Sequence, residues 1–341
     1  MIPIPSQPAK ALEWLIENRL LPVVGLLQER QVIPEWLAAL AGPLVERRGG
    51  LGNDVLAYEK QVLEAFRDAS VRCLVLKGCL LDYLVYPGPG QRLRADLDIL
   101  VCPESMNAAR DVLRATQHVP IHSVPGGTPI RQETWRLDET SGRRYIDVHW
   151  GLRDHPLLRE VLSFEEQYGE AVELSSLAAG VWGQDHVHAL LNSVMHWYDD
   201  LYEHRRPLIW LLDNDLLWRA MNESQREQTI ALASERGVAG LLADVLERTR
   251  AVFETPVSDS TLAELAEKGR HEPATRLISV SSNRYRSFWF ALRSEPDWYA
   301  RIQRLRRSLF PPVAHMRERY PQGSKFGLAG LYARRIFRRI R

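Results

Sequence analysis

Long apolar runs are missing from this chain, and so is any excess of charge. No uncharged apolar stretch approaches the roughly 18 residues that a membrane-spanning helix needs. Lys and Arg number 44 against 43 Asp and Glu, a net charge of +1, so no global field steers the chain toward nucleic acid or a membrane. Cysteine is scarce: Cys73, Cys79 and Cys102 are an odd number in apolar surroundings, which argues against a disulfide framework and suits a reducing compartment. The opening Met1-Ile2-Pro3-Ile4-Pro5-Ser6 lacks the basic region and apolar core of a secretory signal. These absences predict a cytoplasmic protein. There is no internal repeat, no low-complexity tract and no His-Glu-x-x-His. His186 and His188 diverge on a helix, so with His196 and His204 they do not make a zinc centre.

What is present is an acidic strand end, Leu93-Arg94-Ala95-Asp96-Leu97-Asp98-Ile99-Leu100-Val101. Side chains alternate along a strand, so Asp96 and Asp98 share one face while Leu97 and Ile99 share the other. Two carboxylates held that close raise one another's pKa unless a cation lies between them. A divalent cation, Mg²⁺ above all and Mn²⁺ as a substitute, fits one or two carboxylates plus phosphate oxygens. Upstream, Cys73-Leu74-Val75-Leu76-Lys77-Gly78 reads as a buried strand ending in a glycine turn before a helix, a place where backbone N–H groups can face an anion. Downstream, Arg143 to Trp150 reads as another strand, with Asp147 as a third carboxylate and His149 on its face. A phosphate-sized turn, a pair of metal-binding acids and a third acid outline a two-metal phosphoryl-transfer site.

The periodicity divides the chain into an N-terminal helical segment (1–69), a strand-containing core (70–182) and a helical C-terminal region with a basic tail (183–341). In the core, strands are expected near Val119–Val124, Thr134–Leu137, Tyr145–Trp150 and Ala171–Leu174, with a helix over Glu104–Thr116 and turns at Gly126-Gly127 and Ser141-Gly142. Further helices are expected at Gln184–Asp200, Leu208–Met221, Ser224–Arg236, Ala239–Phe253 and Trp298–Leu309, the last broken by Pro311-Pro312.

The order Lys77-Gly78, Arg94, Asp96-Leu97-Asp98 and Asp147-Val148-His149-Trp150 resembles the nucleotidyltransferase superfamily typified by DNA polymerase β. The closest likeness is to its bacterial branch of uncharacterised nucleotidyltransferases. The stretch Leu208 to Asp213, after His196-Trp197, is similar to the helical half of that branch. The resemblance implies an α+β fold with a small mixed sheet, N-terminal helices and a helical C-terminal half. It also implies an enzyme that moves a nucleoside monophosphate from an NTP such as ATP to a hydroxyl-bearing acceptor, a small molecule, peptide or RNA, releasing pyrophosphate. Asp96, Asp98 and Asp147 would be the catalytic and metal-binding acids, and Lys77, Gly78, Cys79 and Arg94 the nucleotide-binding set. Cys79 stands where the superfamily usually has Gly or Ser, and the gap from Gly78 to Asp96 is longer than usual.

Two other readings stay open. Asp-x-Asp also serves glycosyltransferases that hold a nucleotide sugar, although those place a nucleotide-binding α/β unit ahead of the motif. The fold could also be kept as a ligand- or partner-binding module without turnover, a reading that Cys79 and the long loop before Asp96 support and the three retained acids oppose. Lys77 reads either as a phosphate contact or as a lysine at a strand end, and Arg94 either as a triphosphate contact or as a partner of Asp96. His149 orients a metal-binding acid, assists the acceptor, or is simply a buried histidine. His196 reads as a helix-surface or cleft residue, and the many tryptophans as core. The run Tyr332 to Arg341 is basic and amphipathic, suited to an anionic partner or to a solvated end.

Overall fold

The computed structural model describes residues 4–48, 50–121, 131–140, 142–199, 206–281, 283–311, 313, 316–317, 320 and 327–340. Among the described residues, seven strands form one mixed sheet: β1 (Cys73–Val75), β2 (Leu97–Val101), β3 (Val119–Ile121), β4 (Gln132–Glu139), β5 (Gly142–His149), β6 (Val172–Glu173) and β7 (Trp182–Gly183). Their order is β3-β4-β5-β2-β1-β7-β6, with β2 parallel to β5 and antiparallel to β1. All five residues of β2 are buried, as expected of a central strand covered on both faces. The edge pair β6–β7 is only two residues long in each strand, and β7 gives no strand signal because Trp182-Gly183 is too short for alternation to show. The turn residues Gly126, Gly127 and Ser141, and the expected strand positions 122–124, lie outside the described residues.

Helices α1 (Pro8–Glu17), α2 (Val24–Glu29), α3 (Glu35–Arg48) and α4 (Asn53–Asp68) precede the sheet. Then α5 (Lys77–Leu84) leaves β1, α6 (Met106–Ala115) follows β2, and α7 (Phe164–Gly169) precedes β6. The C-terminal part holds α8 (His186–Asp199), α9 (Ile209–Ala220), α10 (Glu223–Glu235), α11 (Ala239–Phe253) and α12 (Asp259–Gly269). It continues with α13 (Leu277–Val280), α14 (Arg284–Ser294), α15 (Trp298–Leu309) and α16 (Gly327–Ile340). The result is an α+β protein in which helices outweigh the sheet.

The sheet has two differently used faces. Leu97, Ile99, Ile146, Val148 and Trp135 lie on one, all buried. There α6 turns Met106, Ala109, Val112 and Leu113 inward, while Arg110 pairs with Glu133 at 2.7 Å and Arg114 lies over the Trp135 ring. The opposite face carries Asp98, Asp147 and His149, and α8 and α9 wall the space in front of it. Burial of about 2 kcal/mol per large apolar side chain on the first face offsets the cost of holding charged groups on the second.

Candidate active site

The site starts from the β2–β5 pairing. Parallel register sets Asp98 beside Asp147 and Leu100 beside His149, and residues paired across parallel strands face the same way. In β4, Thr134 stands opposite Asp147 and Gln132 opposite His149. The Thr134 hydroxyl donates to Asp147 Oδ1 at 2.6 Å and the Gln132 amide to Oδ2 at 3.1 Å, so this carboxylate is held at both oxygens. His149 Nε2 lies 2.9 Å from Asp98 Oδ1, with the imidazole N–H donating. One ligand atom from each of Asp98, Asp147 and His149 falls within 4.8 Å of the others. The three can therefore hold a divalent cation between two carboxylates and an imidazole.

The turn after β1 aims a cation at the same place. Leu76 is extended, and Lys77 opens α5 with φ +48°, a left-handed conformation uncommon for a residue with a Cβ. Its Nζ donates to Asp98 Oδ1 at 2.6 Å. Gly78 follows because a Cβ there would sit 3.2 Å from Arg94 Cβ and 3.3 Å from its Cδ. Arg94 is buried across this turn. It gives Glu59 two hydrogen bonds, of 2.7 and 2.5 Å, and Asp82 one of 2.8 Å. Asp82 also accepts from the backbone N–H groups of Gly90 and Arg92 at 2.6 and 2.8 Å, which ties down the Pro87-Gly88-Pro89-Gly90 loop.

Electrostatics separates the two acids of the Asp-x-Asp motif. Burial alone would push the Asp98 carboxyl up, but the Lys77 ammonium and the His149 hydrogen bond hold it well below the usual carboxylate range. Asp96 is pushed up to about 7, first by the Asp98 charge and then by burial, with Lys77 opposing. His149 is pushed down by burial and by Lys77, and His196 falls further through burial, Arg153 and Lys77, so both rings are neutral near pH 7. The Lys77 ammonium and the Arg19 guanidinium thus only partly offset what the Asp98 charge and burial do to Asp96. That is the condition an added divalent cation relieves, and the donor set fits one.

The acids open on a cleft of about 500 Å³. Asp96, Asp98, Asp147, Lys77, Gly78 and Arg94 all line it. Asp96 stands outside the three-ligand cluster. Arg94 pairs with Glu59 and Asp82 rather than Asp96. Cys79 does not line the cleft: it is buried, its Sγ faces Glu59, and burial followed by the Glu59 charge raises its pKa well above the ordinary thiol value. Only its backbone can face a nucleotide.

Several residues of the cleft carried no sequence signal. Arg92 makes a buried ion pair with Asp213 of α9 at 2.7 Å, and Tyr86 donates to the same carboxylate at 2.7 Å. Arg153 donates to the Asn192 carbonyl at 2.8 Å and reaches His196 Nδ1 at 3.3 Å. His196, by contrast, is read from the sequence as a helix-surface or cleft residue, and it lines the cleft with its ring against Trp210, 4.6 Å between centroids. These contacts span sheet and helices that are distant in sequence. For His149 a signal did exist, since Asp147 and His149 are two apart on one strand. His188 is buried against Asp185, and His204 lies outside the described residues.

The family model for uncharacterised nucleotidyltransferases matches residues 5–254, from the first helix through α11, and the chain belongs to that family. No curated protein matches it.

Proposed function

We propose that the chain transfers a nucleoside monophosphate from an NTP to a hydroxyl-bearing acceptor, with Asp98, Asp147 and His149 holding a divalent cation, Mg²⁺ or Mn²⁺, and Asp96 serving at its edge. The observation that carries this is the β2–β5 register, which sets two carboxylates side by side at the floor of a cleft edged by the start of α5. A bound cation would neutralise triphosphate charge and lower the pKa of a coordinated hydroxyl.

The chain's own residues supply the rest. The α5 N-terminus at Gly78 and Cys79 offers backbone N–H groups to phosphate oxygens, and Lys77 brings an ammonium to the same end. Arg94, its charge met by Glu59 and Asp82, positions that turn rather than binding phosphate itself. The acceptor enters from the side of α8 and α9, where neutral His196 and Asn192 provide polar contacts. Its hydroxyl oxygen bonds to the α-phosphorus while the hydroxyl proton passes to Asp147, kept in orientation by Thr134 and Gln132. The bond from the α-phosphorus to the bridging oxygen breaks, and pyrophosphate leaves with that electron pair.

The test is incubation with each of four α-labelled NTPs, Mg²⁺ and a cell extract. Label in an acceptor, lost on chelation, supports the reading. Transfer of γ-label but not α-label would replace it with phosphoryl transfer. Absence of Mg²⁺-dependent NTP binding by calorimetry would make the protein a binding module.

A further inference from the structure

The near-zero net charge conceals two opposed halves. Residues 271–341 hold 16 Lys and Arg against four acids, a net +12, and residues 1–270 balance them at −11. The exposed apolar side chains gather in the same place: among the described residues, nine of fourteen large ones lie between Tyr285 and Leu328.

Most of these side chains project from α14 and α15, and α15 turns its polar face inward. In α15, Arg304 is buried and pairs with Glu295 at 2.5 Å, and its other arm donates to the Asp154 carbonyl at 2.9 Å. Ser308 is buried on the same side. Outward stand Trp298 at 72% exposure, Tyr299 at 61% and Ile302 at 50%, with Leu305 and the exposed Arg306 beside them. In α14, Tyr285 and Trp289 are exposed one turn apart. They line a shallow depression of about 570 Å³ with Arg276, Arg286 and Arg293 and no carboxylate. A helix that hides its ion pair and shows solvent Trp, Ile and Leu is inverted for a protein surface in water alone.

We propose that α14 and α15 lie on an anionic phospholipid bilayer, with the aromatic and aliphatic side chains entering the headgroup boundary and the arginines meeting lipid phosphates. Charge complementarity sets the sign of the partner: Glu295 is buried in its ion pairs, and Asp297 is turned to the Ala300 N–H as the cap of α15. Aliphatic exposure separates a bilayer from nucleic acid. Bases stack on aromatic rings and on guanidinium planes, and Ile302, Leu305, Val313 and Leu328 offer them neither, whereas acyl chains accept all four. Among the described residues no helix is long and apolar enough to cross a membrane; the contact proposed is that of the exposed faces of α14 and α15.

Sedimentation of the full chain with phosphatidylcholine vesicles, with and without about 30% phosphatidylglycerol, tests this. Binding to the anionic vesicles alone, weakening with salt, is the expected result. Trp298→Ser with Ile302→Ser should lower the partition coefficient by roughly tenfold. Arg286→Glu with Arg293→Glu should remove most of the salt-sensitive part. All four positions are exposed, so melting temperatures should not move, and two separate variants guard against one misfolding. Equal binding to neutral vesicles would overturn the proposal. So would binding of single-stranded RNA without vesicle binding, or a dimer broken by the same substitutions with no vesicle binding.

Discussion

Replacing Asp96 by Asn tests the electrostatics of the candidate site without touching its packing. The Asp96 carboxyl is raised from 3.8 to about 7, so its charge opposes the fold. Between those two values the folded chain holds a proton that the unfolded chain has released. Stability therefore falls as pH rises from about 4 to about 7, and the full penalty applies above that. About three pKa units at 1.36 kcal/mol each would be some 4 kcal/mol for an isolated group. Asp96 is only partly buried and shares its field with Asp98, so about half of that, near 2 kcal/mol, is the working figure. Asp96→Asn should accordingly raise the melting temperature by roughly 3 °C at pH 8, since a chain of 341 residues unfolds with about 0.7 kcal/mol/K of entropy. At pH 4.5 the gain should shrink to about 1 °C, because there the wild-type carboxyl is protonated at little cost. Millimolar Mg²⁺ should narrow the pH 8 difference, since a cation relieves the repulsion that the substitution removes. Thermal melts followed by circular dichroism at the two pH values measure all three. A gain of equal size at both, or a loss at pH 8, would refute the reasoning.

Asp147→Asn keeps the shape that Thr134 and Gln132 grip but removes the charge. Nucleotide should still bind by calorimetry, while turnover drops by roughly two to four orders of magnitude, about 3–5 kcal/mol of transition-state stabilisation. Lys77→Met deletes the ammonium on Asp98, so Mn²⁺ affinity without nucleotide, read by electron paramagnetic resonance, should rise severalfold while NTP affinity falls. Glu59→Gln leaves Arg94 short of one buried carboxylate and should cost about 2–4 kcal/mol in denaturant melts.

The parts of the fold that periodicity marks are those whose burial is one-sided and continuous. Helices α11 and α15 begin and end where the pattern places them, at Ala239–Phe253 and Trp298–Leu309. The placing of the strands between two helical segments followed from the same alternation of periods, and the α+β class from the family resemblance. Helix α14 escaped because its core face is only Ala291 and the half-buried Phe290, while Tyr285 and Trp289 face outward and blur the pattern. The strand at Trp182-Gly183 escaped because two residues cannot display alternation. Within the cleft, Asp98 and Asp147 share a face because each obeys period two in its own strand. Their adjacency depends on the parallel register, which no local feature encodes. The Lys77 ammonium on Asp98, the two carboxylates around Arg94 and the Arg92–Asp213 pair are tertiary facts of the same kind. The tail arginines beyond Arg334 and the expected break at Pro312 lie outside the described side chains.

The Pro87-Gly88-Pro89-Gly90 loop has a consequence for when disorder is lost. By composition it should wander, yet both oxygens of the buried Asp82 hold its N–H groups, and Leu51 N–H donates to the Gly90 carbonyl at 2.9 Å. Its conformational entropy is surrendered during folding rather than at the encounter with substrate, where each residue ordered would cost about 1–2 kcal/mol of affinity. The amides of Gly90 and Arg92 should then exchange with solvent deuterium on the timescale of global opening. A loop that looks like a lid by its letters is, in its hydrogen bonds, part of the frame.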